Sequence, residues 1–85
     1  MESWIFGEKR IISAPISVTV SGATYEVFDA LDDSIVSSGD ASVGDSSVSF
    51  LWEPLETSIY VARISYITGN EKYSYDQVIE IRETM

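Results

Sequence analysis

Neither cysteine nor histidine occurs anywhere in the 85 residues. The missing cysteine removes disulfides, thiolate zinc sites, iron–sulfur ligation and thiol nucleophiles. The missing histidine removes the commonest general base and the commonest metal ligand. Most hydrolytic and redox mechanisms lose their central group. Basic residues are scarce as well: five Lys and Arg stand against fourteen Asp and Glu, for a formal charge of −9. Such a surface repels phosphate backbones, so no nucleic-acid partner is expected. The acids are scattered rather than massed in a tail, which fits a solubilising role. No stretch approaches the ~20 apolar residues that span a bilayer. Met1–Gly7 lacks the basic start and long apolar run of a secretory signal. The expectation is a soluble chain made in the cytoplasm, with no membrane partner.

Helical spacing of apolar residues is the next thing missing, since no window keeps it beyond about two turns, while period-two alternation recurs in almost every segment. Little or no helix is expected. The clearest pattern is Ser58–Arg82, where two long segments rich in β-branched and aromatic residues flank Thr68-Gly69-Asn70-Glu71. It reads as a β-hairpin. Tyr60, Ala62, Ile64 and Tyr66 share one face of its first strand. Tyr73, Tyr75, Ile79 and Ile81 mark the return strand, with a register-shifting bulge expected at Asp76-Gln77.

Upstream, a strand is expected at Trp4–Phe6, resuming at Arg10–Ser13 after a break at Gly7. Pro15 has no N–H to donate and marks a strand boundary or an edge. Ile16, Val18 and Val20 alternate with Ser17, Thr19 and Ser21 and predict a half-buried strand ending at Gly22. Thr24–Asp29 predicts the next, with Tyr25 and Val27 on one face, and Ala30–Ser34 reads as a turn. A strand from Ile35 is expected to be interrupted at Ser38-Gly39-Asp40 and to resume at Ala41–Val43. Gly44-Asp45 reads as a turn, and Val48, Phe50 and Trp52 alternate with Ser47, Ser49 and Leu51 until Pro54 stops the strand. About seven short antiparallel strands in residues 1–85, with no repeat and no linker, predict one all-β domain, an immunoglobulin-like β-sandwich. A small barrel is the alternative.

A 45% hydrophobic and 12% aromatic composition belongs to a folded globular chain. Its core is small, because even a domain of ~60 residues buries only about 60% of its unfolded surface. Trp52, Tyr60 and Tyr25 are assigned to that core. Tyr73 and Tyr75 are the candidate interaction surface. Asp29, Asp32 and Asp33 form the densest acidic cluster, but they lack the glycine and distal glutamate of a calcium loop, and a turn explains them without metal. Gly39 and Gly44 fit no phosphate-cradling motif. No catalytic residue, cofactor or metal ligand is assigned.

Ala23-Thr24-Tyr25-Glu26-Val27-Phe28-Asp29, Ser38-Gly39, Val48–Trp52 and Ser58-Ile59-Tyr60 leading into the Tyr66–Lys72 hairpin together resemble small Ig-like domains encoded in tailed-phage and prophage structural modules. The resemblance spans residues 14–82. The family's structural markers would here be Asp29 before a turn, the Ser38-Gly39 step and Tyr60 opening the penultimate strand. Ser58 departs from the family, which usually has glycine there. The resemblance implies a virion-associated or head-to-tail accessory protein without enzymatic activity, and it transfers no catalytic residue. Three functions follow in order of expectation. The first is a structural module that offers a sheet face or edge to protein partners, neighbouring-gene products or a second copy, with Asp40, Glu71 and Lys72 as edge-blunting charges. The second is a carbohydrate-binding or cell-surface adhesion module on Tyr73 and Tyr75. The third is a small hydrolase using a carboxylate pair.

Overall fold

The computed structural model describes residues 2–83, which form eight strands and no helix. They run β1 (Glu2–Ile5), β2 (Arg10–Pro15), β3 (Gly22–Asp29), β4 (Ile35–Asp40), β5 (Ser42–Val43), β6 (Ser47–Trp52), β7 (Ser58–Thr68) and β8 (Glu71–Arg82). Two open sheets result, a five-stranded one ordered β1-β8-β7-β3-β4 and a three-stranded one ordered β2-β6-β5. The chain is a β-sandwich, not a closed barrel. No helix among the described residues is long and apolar enough to cross a membrane.

Alternation decides what fills the space between the sheets. Val27, Tyr60, Ala62, Ile64, Ile79 and Ile81 come from the larger sheet, and Ile12, Ala14, Val48, Phe50 and Trp52 from the smaller. Aromatic rings bridge them. Trp52 meets Tyr60 edge-on at 5.0 Å and Trp4 at 5.7 Å, while Tyr25 stacks flat on Phe50 at 3.9 Å. The assignment of Trp52 and Tyr60 to the core holds, Tyr25 is half-buried and packs against it, and Trp4, which is 1% exposed, joins the core.

The chain passes from the larger sheet to the smaller at Phe6–Lys9. Gly7 takes φ +96°, a conformation side chains resist. Glu8 clamps the turn, because its carboxylate accepts the Ile5 N–H (2.7 Å) and the Arg10 guanidinium (2.9 and 2.5 Å). Those bonds, the Ile5 amide foremost, hold the Glu8 carboxyl below the usual carboxylate range.

Three sequence expectations are corrected by this topology. Ile16–Ser21 alternates but is not a strand, since it carries the chain from β2 in one sheet to β3 in the other and finds no ladder partner. Ile16 and Val20 instead close the end of the core, while Val18 is exposed. The irregularity expected at Gly39 lies earlier. β4 runs unbroken from Ile35 to Asp40, with its bulge where Phe28 faces Ile35 and Val27 faces Ser37, leaving Val36 without a partner. Gly39 sits opposite Tyr25, whose ring lies 3.3 Å from where a Cβ would stand. Finally, no bulge occurs at Asp76-Gln77, because β7 and β8 pair without interruption from Ser58↔Ile81 to Thr68↔Glu71.

The hairpin is much longer than the sheet that covers it. At about 3.3 Å per residue, strands of 11 and 12 residues reach ~36–40 Å, in keeping with a longest molecular dimension of 41 Å. β2 and β6, with 6 residues each, span only about half of that. The tip of the hairpin overhangs.

Candidate functional site

Tyr73 and Tyr75 lie on the half of β8 nearer the hairpin tip. Through the β7–β8 register, Tyr73 lies beside Tyr66, Tyr75 beside Ile64 and Ile79 beside Tyr60, so all three β8 side chains point to the inward face. Ile79 is fully buried, yet Tyr73 and Tyr75 remain 44% and 39% exposed; Ile64, beside Tyr75 on β7, is 0% exposed, so the cover at that level stops between β7 and β8. Tyr73 stacks against Tyr66 at 5.6 Å and donates its hydroxyl hydrogen to Glu71, which pushes the Tyr73 phenol's pKa up. Pro15–Val18 approach from the end of β2, leaving a groove of about 330 Å³ against Tyr66, Thr68, Glu71 and Tyr73.

The backbone beside these tyrosines is open. β1 pairs in parallel with Ile79–Arg82 and reaches no further along β8 among the described residues, so Glu71–Gln77 forms a sheet edge without a partner strand. Which residues offer their polar groups there follows from the ladder. Ala30 N–H bonds Ile59 O at 2.8 Å, so the odd-numbered residues of β7 face β3 and the even-numbered ones face β8. Through the β7–β8 register the odd residues of β8 then bond β7, and Lys72, Ser74 and Asp76 turn their N–H and C=O groups to the open side. The Phe6 N–H to Arg82 O bond (2.6 Å) on the β1 side has the same phase.

The edges at β4, β2 and β5 are blunted. β4 carries a bulge and ends in Asp40, β2 ends in Pro15, and β5 has two residues. Of the charges expected to protect edges, Asp40 ends β4, whereas Glu71 and Lys72 stand on the open stretch of β8 itself. On its outer face Asp76 holds Arg63 through two hydrogen bonds (2.8 and 3.0 Å), and this pairing keeps the Asp76 carboxyl below its ordinary range.

The acidic cluster at the β3–β4 turn has structural partners. Asp29 accepts the Leu31 N–H (2.8 Å) and the Ser58 hydroxyl (2.9 Å), and Asp32 accepts the N–H and hydroxyl of Ser34 (2.9 and 2.7 Å). Asp33 adopts φ 61°, which a short acidic side chain tolerates in a turn. Among the described residues no three acidic groups gather at metal-binding spacing. A second groove, of about 420 Å³, lies at the other end between Val36, Trp52, Leu55 and Tyr60, with Glu53 and Glu56 on its rim.

Tyr73 and Tyr75, the candidate surface read from the sequence, are exposed, and the outward backbone groups of Lys72, Ser74 and Asp76 beside them were not anticipated. No local signal marks them, because the extent of the open stretch follows from β1 pairing with Ile79–Arg82. Searches against protein-family models, curated proteins and solved structures find no match to this chain.

Proposed function

We propose that this chain is a non-enzymatic protein-interaction module whose docking site is the open edge of β8, with Tyr73 and Tyr75 as flanking contacts. The carrying observation is the unpartnered Glu71–Gln77 stretch, the longest regular edge the two sheets leave uncovered. Main-chain groups give such an edge affinity for any extended strand, and alternate side chains give selectivity.

The setting proposed for the module is the virion-associated, head-to-tail accessory role implied by the resemblance to small Ig-like phage and prophage domains. Two features support an Ig-like reading of the sandwich. Lettering the strands A, B, C, C′, D, E, F and G in chain order makes the larger sheet A-G-F-C-C′ and the smaller B-E-D, close to the two sheets of that fold. Tyr60, at the start of the F position, donates its hydroxyl hydrogen to Glu56 O at 2.9 Å, in the manner of the tyrosine corner of such domains.

The test uses Ser74→Pro. Proline removes an N–H that faces the edge and breaks no bond to β7, so the variant should fold, which a thermal melt checks. Each protein encoded beside this gene is co-expressed with the wild type and with Ser74→Pro. Binding that Ser74→Pro abolishes, by a capsid, portal or tail protein or by a second copy of the chain, is expected. Absence of any such partner, or binding that Ser74→Pro leaves intact, sinks the reading.

A further inference from the structure

We infer that the edge is self-complementary: two copies of this chain join through Glu71–Gln77, antiparallel and in a register centred on Ser74. This rests on the open edge being the docking site, and names its occupant as a second copy.

Geometry restricts the registers available. Only Lys72, Ser74 and Asp76 point bonding groups outward, so these must face one another for a ladder to form. An odd shift would oppose an outward-bonding residue to one already bonded to β7, and would set inward side chains against outward ones. The registers therefore step by two.

Charge then selects among them. Centred on Ser74, the pairing sets Lys72 against the second copy's Asp76 at both ends, Tyr73 against the second copy's Tyr75 at both ends, and Glu71 against the second copy's Gln77. Opposite charges and aromatic rings directly across strands are the favourable cross-strand pairs. The open stretch is used from end to end, and β1 on Ile79–Arg82 is left undisturbed. A register centred on Tyr75 sets Lys72 against Val78 and drives Asn70 toward Glu80, which β1 already covers. One centred on Tyr73 sets Lys72 against Ser74 and leaves Asp76 facing the hairpin turn. Neither forms a charge pair.

The side chains on both faces fit the same arrangement. Arg63 binds Asp76 from the β7 side. The second copy's Lys72 arrives from the opposite side, so each Asp76 lies between two cations on the outer face. On the inner face the four exposed rings of Tyr73 and Tyr75 from the two copies cover one another. In a chain with five basic residues and a formal charge of −9, the placing of one Lys four residues before an Asp on the one long open edge allows this surface to meet its own copy.

The experiment is sedimentation equilibrium over concentrations up to about 1 mM, on the wild type, Lys72→Glu, Asp76→Lys and an equimolar mixture of the two variants. Lys72→Glu alone sets a carboxylate against the second copy's Asp76 at both ends, and Asp76→Lys alone opposes two lysines at both ends. Each variant is expected to weaken the dimer by roughly tenfold or more, while the mixture, in which both cross pairs are again of opposite sign, restores it. Thermal melts establish that both variants fold. Amide exchange on the wild type supplies a second measurement that needs no substitution: Lys72, Ser74 and Asp76 N–H groups should slow with rising concentration, while those of Tyr73 and Tyr75, already bonded to β7, should not change. A wild type that stays monomeric with unaltered edge exchange overturns the self-pairing, as does a dimer indifferent to both variants. If that monomer still loses a neighbouring-gene partner on Ser74→Pro, the edge reading survives and only the self-pairing fails.

Discussion

Tyr60 Oη donates to the carbonyl oxygen of Glu56 at 2.9 Å, tying the start of β7 to the loop that precedes it. The ring is 3% exposed and packs edge-on against Trp52. Burial, with Asp29 and Glu56 nearby, pushes the phenol's pKa above its ordinary value. Tyr60→Phe keeps the ring and leaves the Glu56 carbonyl without its partner, so it should cost about 1–2 kcal/mol and lower Tm by roughly 5–10 °C. Because the raised pKa belongs to the folded state, the hydroxyl's stabilisation is full below about pH 10 and is lost as pH rises further. The gap between wild type and Tyr60→Phe in denaturant melts should therefore narrow above that pH. A gap that widens there would refute this account.

The hairpin turn depends on Gly69. Its φ of +61° precedes an Asn70 without positive φ, so the two-residue loop between Thr68 and Glu71 is of the type II′ kind, with glycine at its first central position. Gly69→Ala should cost about 1–2 kcal/mol. Gly22→Ala is the matched control, since no positive φ and no atom within 4 Å oppose a Cβ there, and it should change stability by less than about 0.5 kcal/mol. Equal effects in chemical denaturation would remove the turn from the explanation.

Acid should weaken the fold through identifiable carboxylates. Asp32, held by the hydroxyl and then the N–H of Ser34, Glu8, held by the Ile5 amide and Arg10, and Asp76, held by Arg63, all have folded pKa values below their ordinary ones. Their contributions are complete above the unfolded carboxylate range of about 3.9–4.3 and disappear as pH falls through the depressed folded values. Protonation also relieves the repulsion of a −9 chain, and Asp32→Asn removes only one of its fourteen acidic groups, so that relief is nearly the same in both proteins. Asp32→Asn retains an acceptor oxygen without titrating, so its stability should decline less steeply than the wild type's between pH 5 and pH 2, roughly the span over which such carboxylates titrate. Parallel declines would show that Asp32 carries none of the effect.

Much of this was legible in the alternation of side chains. Tyr60, Ala62 and Ile64, or Val48, Phe50 and Trp52, declare their faces because a strand's period of two is a local property of the backbone. The hairpin turn announced itself in Gly69-Asn70, and the absence of cysteine and histidine narrows the chemistry on composition alone. Ile16–Ser21 has the same alternation and is no strand, because a strand also needs a neighbour to bond with, and this segment spends its length crossing between sheets. The bulge went to Val36 rather than Gly39 for a similar reason, since register is a relation between β3 and β4 and not a property of either.

Local pattern suffices to make the chain all-β and to set which side chains of β6 and β7 turn inward, whereas the uninterrupted β7–β8 ladder is what puts Tyr73 and Tyr75 on the same face as Ile79 and Ile81. That this face is left half bare is a product of the assembled sandwich. A three-stranded sheet packs over a five-stranded one, and β1 pairs with β8 only at Ile79–Arg82. Side-chain pattern encodes direction, whereas exposure depends on which neighbours the assembled sheets set beside each residue: Ile64 is covered and Tyr75 next to it is not, and β1 leaves Glu71–Gln77 without a partner strand.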